Sequence, residues 1–281
     1  MRKLLWSGMF AMILAAGCGQ RQEMAYHSAP PEAQPSAMAQ EREYHNPNGE
    51  VVIRRASGEI FLDGNLWEAD WQRAEPLPML KYHTHEPSDM RTEVKMLWDD
   101  ENLYVSIKAY DKDIIGTYKQ RNTPVFRDDV FEAFICPVKE RPGWYSNIEI
   151  NTLGSVNTRV CMPEPHPELV RDLPGVTEPD KKRPNWYWPG LQVGRFHEGT
   201  MNDEEPDEYW VLEFSVPWSG WKVFGWNGAP RDGERWRANL FRMSGETKFP
   251  EGASHLFHVP EPQGNHSPEH FGDLVFSAQT W

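Results

Sequence analysis

Cysteine is scarce: 3 in 281 residues, with no Cys-x-x-Cys-His that would attach a haem. Basic residues are outnumbered, 29 Lys and Arg against 42 Asp and Glu, for a net charge of -13. So acidic a chain repels phosphate backbones, which argues against nucleic acid as a partner. No apolar run is long enough for a comfortable membrane span, no internal repeat is visible, and no nucleophile motif of a hydrolase stands out. What the chain does have is 13 Trp, 24 Pro and many short alternating runs. That composition predicts an all-β protein with long loops.

The first fifty residues stand apart. Arg2 and Lys3 precede a mostly apolar stretch, residues 4–14, and then Ala15, Ala16, Gly17 and Cys18. This is the pattern of an export signal. Small residues directly before a cysteine resemble the lipobox of bacterial lipoproteins, with Ala15 where Leu is more usual. The resemblance implies cleavage after residue 17, lipidation of Cys18, and a protein exported and lipid-anchored to a bacterial membrane, at the outer membrane or cell surface. Residues 20–48 are rich in Gln, Glu, Ala, Pro, Ser and Met and have no sustained apolar period. The expected organisation is a signal segment at 1–17, a disordered tether at 18–48, and one folded domain at 49–281.

The folded part is best read from residues 130–136. Phe131, Ala133 and Ile135 alternate with Glu132, Phe134 and Cys136, the period of a strand. Residues 145–152 alternate likewise, Ile148 and Ile150 on one face, Glu149 and Asn151 on the other, and residues 156–161 return after Gly154. A meander of the three carries Glu132, Glu149 and Asn151 on a shared face. Cys136 and Cys161 would then lie two strand spacings apart, about 9–10 Å, beyond disulfide reach, so two separate thiols are expected. Further strands are expected at 92–98, 103–109, 209–216 and 235–243, with Trp98, Trp210 and Trp236 facing inward. Trp67 and Trp71 share helical spacing and would plug one end of the sandwich. Residues 162–190, rich in Pro and ending in Trp186, Tyr187 and Trp188, read as a long insertion. The expected architecture is an antiparallel β-sandwich with short helical turns.

The order of these pieces resembles family 9 carbohydrate-binding modules. The matching stretches are Ile60 to Gly64 with Trp67 and Trp71, Val94 to Asp100, Asp128 to Phe134, Ile148 to Asn151, Trp210 to Trp218, Trp236 to Arg242, and Phe271 to Leu274. The resemblance implies a sugar held on a sheet face between two aromatic rings and hydrogen-bonded by polar strand residues, with structural calcium common. Phe126 falls where the first aromatic is expected and Glu132 where a sugar-contacting Glu is expected. Glu149 replaces an expected Arg. Asn265, His266 and Ser267 occupy the window of the second aromatic, with Phe257 or His258 as substitutes.

The residues themselves support the same chemistry. Sugars offer apolar C–H faces and a rim of hydroxyls, which aromatic platforms and fixed polar groups recognise. The expected groove contains Phe126, Glu132, Glu149 and Asn151, with Arg242 pairing one carboxylate. Asp99 in the acidic turn at 99–102, and Asp111 with Asp113, are calcium candidates, although such residues also simply favour turns. His83-x-His85 would suit a transition metal if the segment is extended. The expected function is non-catalytic carbohydrate binding by an envelope lipoprotein, linked to sugar capture or breakdown. A protein-interaction module that keeps only the fold, and a glycoside hydrolase using Glu132 and Glu149, are the alternatives.

Overall fold

Alternating sequence makes most of this chain strand, and the strands fall close to where the period places them. A computed structural model describes residues 48–173, 175–245 and 251–281. The signal segment, Cys18 and the tether up to residue 47 lie outside the described residues. The strands are β1 (Glu50–Arg55), β2 (Leu80–Lys81), β3 (Thr92–Trp98), β4 (Asn102–Tyr110), β5 (Val130–Cys136), β6 (Tyr145–Asn151), β7 (Val156–Cys161), β8 (Gln192–Glu198), β9 (Tyr209–Pro217), β10 (Arg235–Met243), β11 (Ala253–His255) and β12 (Gly272–Ser277). Two short helices, α1 (Ala69–Arg73) and α2 (Pro167–Val170), and three 3-10 turns complete the set among the described residues.

Ten strands form one continuous path, β7-β6-β5-β10-β12-β1-β3-β4-β9-β8, with β11 and β2 attached beside β10. The pairings are antiparallel except at β1, which runs parallel to both β12 and β3. The sheet is therefore mixed, where purely antiparallel pairing was expected. It curls on itself: Phe131 on β5 and Phe214 on β9, far apart along the path, have ring centroids 6.1 Å apart. The main core fills the space between the halves. Phe131, Ala133, Ile135, Ile148 and Ile150 from one half meet Val94, Met96, Leu103, Val105 and Leu212 from the other, with Trp98, Trp210 and Trp236 buried as their alternation predicts.

The Pro-rich stretch closes this core instead of lying over the polar face. Trp186 and Trp188 pack against each other, and Trp188 packs edge-on against Trp221 at 4.6 Å between centroids. Gly220 permits the approach, since a Cβ there would collide with the Trp188 indole. The expected Trp67–Trp71 pair is split. Only Trp71 lies in α1, where it is buried with Ile60, Leu97 and Tyr104 on the outer side of β3 and β4. Trp67 precedes the helix and is 80% exposed. Cys136 and Cys161 are both buried and free.

Candidate functional site

The second face of β5, β6, β7 and β10 points away from the main core. Strict alternation places Glu132 and Phe134 of β5, Asn147 and Glu149 of β6, Asn157 and Arg159 of β7, and Phe241 of β10 on it. Register then sets the contacts. Glu132 stands directly opposite Glu149, and Glu149 opposite Asn157. Asn147 stands opposite both Phe134 and Arg159. Directly opposed side chains have Cβ atoms about 4.5–5.5 Å apart, so the two carboxyls are close neighbours.

This face is polar but not open. Glu132 and Glu149 are each only 4% exposed, so the expected groove is covered at this point. The cover comes from around Tyr82 and from the segment after β11. His266 stacks on Phe134 at 4.8 Å between centroids, and its Nδ1 shares a 2.8 Å hydrogen bond with the Tyr145 hydroxyl. Asn265 donates from Nδ2 to Glu132 Oε2 at 2.9 Å and accepts the Tyr82 hydroxyl at 2.6 Å. Glu149 is clamped from two sides: Asn147 donates to Oε1 at 2.9 Å and Asn157 to Oε2 at 2.7 Å.

Burial pushes both carboxyls upward in pKa, and the mutual repulsion of the pair pushes Glu132 further. Among the described residues no Lys, Arg or His nitrogen lies within ion-pair distance of either. Arg159 faces them but spends its Nε on Asn185 Oδ1 at 3.3 Å. Burial, aided by Arg183 and Arg159, drives His266 down to about 3, so its ring adds no positive charge at neutral pH.

The other expected site residues are distributed differently. Phe126 sits on the 3-10 turn Val125–Arg127, which packs against β5 and β6 just before β5 begins, and is 45% exposed. Asn151 shares the parity of Glu149, but its amide is committed to the strand end: it donates to Tyr118 O and Asp128 Oδ2 and accepts from Ser155 N. Arg242 is a correction. Phe241 pairs with Glu132, so Arg242, one residue on, points to the opposite side with Phe131. It spans the core to reach Asp111 Oδ2 at 2.8 Å. Phe257 is also corrected: it is buried in the main core against Gly272. His258 stacks on His85, with centroids 3.8 Å apart.

Of the calcium candidates, Asp99 accepts the amides of Glu101 and Asn102 and the Tyr104 hydroxyl, as a turn residue does. Asp111 is the partner of Arg242, and the Asp113 amide lies at 3.4 Å from Asp111 Oδ1. His83 shares a hydrogen bond with the Val259 carbonyl through Nδ1 at 2.9 Å, while His85 stacks on His258. Among the described residues no group of three or more His, Cys, Asp or Glu is placed to hold a metal. Sequence reading missed Tyr82, Asn147 and Asn157, and it placed Asn265 and His266 in the window of the second aromatic without giving them a role. The parity of Asn147 with Glu149 was visible; the rest depend on register and on loops without a period.

Residues 62–156 match the family model described as carbohydrate family 9 binding domain-like. No curated protein matches. Three solved structures share the fold. A candidate carbohydrate-binding protein from Bacteroides uniformis is 16% identical, with a TM-score of 0.59 over 81% of this chain and 99% of that one. Two structures of a family 9 carbohydrate-binding module from Caldicellulosiruptor kristjanssonii are also similar. The complex with cellotriose is 14% identical, with a TM-score of 0.52 over 82% of this chain and 95% of that one. The complex with glucose is 15% identical, with a TM-score of 0.53 over 82% and 97%.

Proposed function

Taking as premise that the chain has the fold of family 9 carbohydrate-binding modules and carries a domain stretch of that kind, we propose that it binds carbohydrate without cleaving it. One observation carries the reading. A cluster of two carboxyls and three carboxamides lies on β5, β6, β7 and their cover, and the exposed Phe126 ring stands on a turn packed against β5 and β6. A pyranose C–H face stacks on Phe126 while its hydroxyls exchange hydrogen bonds with the cluster as Asn265 yields Glu132. The related module that holds cellotriose and glucose supports this ligand class. Catalysis by the pair is disfavoured because both oxygens of Glu149 are held by amide donors, which occupies one of the two carboxylates that hydrolysis needs.

Phe126→Ala is expected to weaken sugar binding by about 1–3 kcal/mol, the range for losing an aromatic contact, with little change in Tm. Isothermal titration of the full chain against mono- and oligosaccharides reads this directly. Absence of heat with every sugar would overturn the reading.

The proposal extends to where binding takes place. Cys18 follows small residues after an apolar segment, so the chain is exported, lipidated there and held at the bacterial envelope, serving sugar capture or breakdown. Cys18→Ser is expected to move the protein from the membrane fraction to the soluble one. Retention of the variant on carbonate-washed membranes would exclude the lipid anchor.

A further inference from the structure

The carboxyl cluster has more hydrogen-bond acceptors than donors. Three amide NH2 groups, from Asn147, Asn157 and Asn265, serve Glu132 and Glu149. That leaves Asn147 Oδ1 and Asn157 Oδ1 buried without a partner among the described residues, on side chains that are 0% and 1% exposed. Rotating either amide does not repair the deficit while Glu149 is ionised, because it would turn a carbonyl oxygen onto a carboxylate oxygen. Two buried acceptors without donors each carry a desolvation cost. Beside them stand two opposed carboxyls without an ion-pair partner among the described residues. Arg159 on the same face draws both pKa values down in part but forms no ion pair with either carboxyl. The group that would complete the cluster is one that brings several donors, no acceptors and a positive charge at close range.

We propose that this cluster selects an amino sugar, with the protonated amine of the ligand entering between Glu132 and Glu149. The inference rests on the carbohydrate-binding reading above and deepens it. An ammonium supplies three N–H donors and no acceptor, whereas a hydroxyl supplies one donor and brings two further acceptors into a place that already has too many. A positive ligand also lets both carboxyls ionise without facing each other uncompensated. Its charge-assisted bonds are stronger than the neutral amide bond from Asn265 that it displaces. Phe126, exposed on the turn against the same strands, supplies the flat surface that a pyranose needs and a lone amine does not.

The test is isothermal titration of the full chain, at slightly acidic pH and fixed ionic strength, with three oligosaccharides of equal length. They are a glucosamine oligomer with free amines, its N-acetylated counterpart and a cello-oligosaccharide. The free-amine oligomer is expected to bind at least about ten-fold tighter than the other two. Glu149→Gln is expected to remove that preference, and circular dichroism of the variant checks that it is folded. Glu132→Gln is a second variant, should Glu149→Gln fail to fold. Equal or weaker binding of the free-amine oligomer overturns the inference and leaves the carbohydrate reading standing. A preference that survives in both folded variants assigns it to the overall negative charge and equally overturns the inference. No binding of any of the three overturns both.

Discussion

A Trp236→Ala variant is expected to lose about 3–5 kcal/mol of stability, the usual result of emptying a large aromatic site in a packed core. Trp236 is fully buried on β10, the strand that links β5 to β12. The rings of Trp218, Trp221, Trp226 and Phe276 surround it, with centroids 5.6, 4.8, 5.4 and 5.1 Å away, all steeply inclined to it. Edge-to-face contacts of this kind add to the area term. Two of these rings come from the 3-10 turn Trp218–Phe224 and one from β12, so the cavity would be walled by elements that cannot easily close in. Urea unfolding with an unchanged m-value measures the loss. A loss below about 1 kcal/mol would show that the neighbouring rings collapse into the gap.

Arg242→Ala is expected to cost a similar amount, about 3–5 kcal/mol, for a different reason. Nη1 donates to Arg91 O at 3.0 Å and Thr92 Oγ1 at 2.8 Å, and Nη2 donates to Tyr110 O and Asp111 Oδ2, both at 2.8 Å. One planar fork thus ties β10 to the margins of β3 and β4 across the core. Truncation leaves Asp111 without its cation and removes a donor from the Tyr110 carbonyl, while the Arg91 carbonyl keeps the Tyr110 amide at 3.0 Å. Arg242→Lys keeps the charge but cannot serve four acceptors from one fork, so it is expected to recover only part of the loss. Denaturant curves of the two variants decide the matter. If Arg242→Ala stays within about 1 kcal/mol of the parent, the bridge is structurally idle.

The same residue shows where sequence reading stopped. Strands β5, β6, β7 and β10 were legible because their alternation is nearly unbroken, and residues 130–136 and 235–243 were placed at their observed bounds. With Trp236 inward, the period of two also puts Arg242, six residues on, inside. Placing Arg242 beside the two Glu residues followed charge where parity was the better guide. Only long-range partners such as Asp111 make a buried guanidinium tolerable, and no local pattern announces them. Glu132 and Glu149 were assigned to the right face for the right reason. That face was taken as solvated because the cover from Tyr82, Asn265 and His266 is irregular and has no period to read. β8 was missed because its exposed edge, with Gly194, Arg195 and His197, alternates weakly.

Most of the strands are joined to neighbours near in sequence, yet the middle of the sheet is not. β12 alone bridges β10 to β1, and β1 alone leads on to β3. Until residues 272–277 arrive, the growing chain holds two separate half-sheets, each with an unpaired inner margin. The seam joins the first strand to the last among the described residues, so its formation must overcome the loop-closure entropy of more than two hundred residues. Such a chain cannot complete its fold while it is still being delivered from its N-terminus.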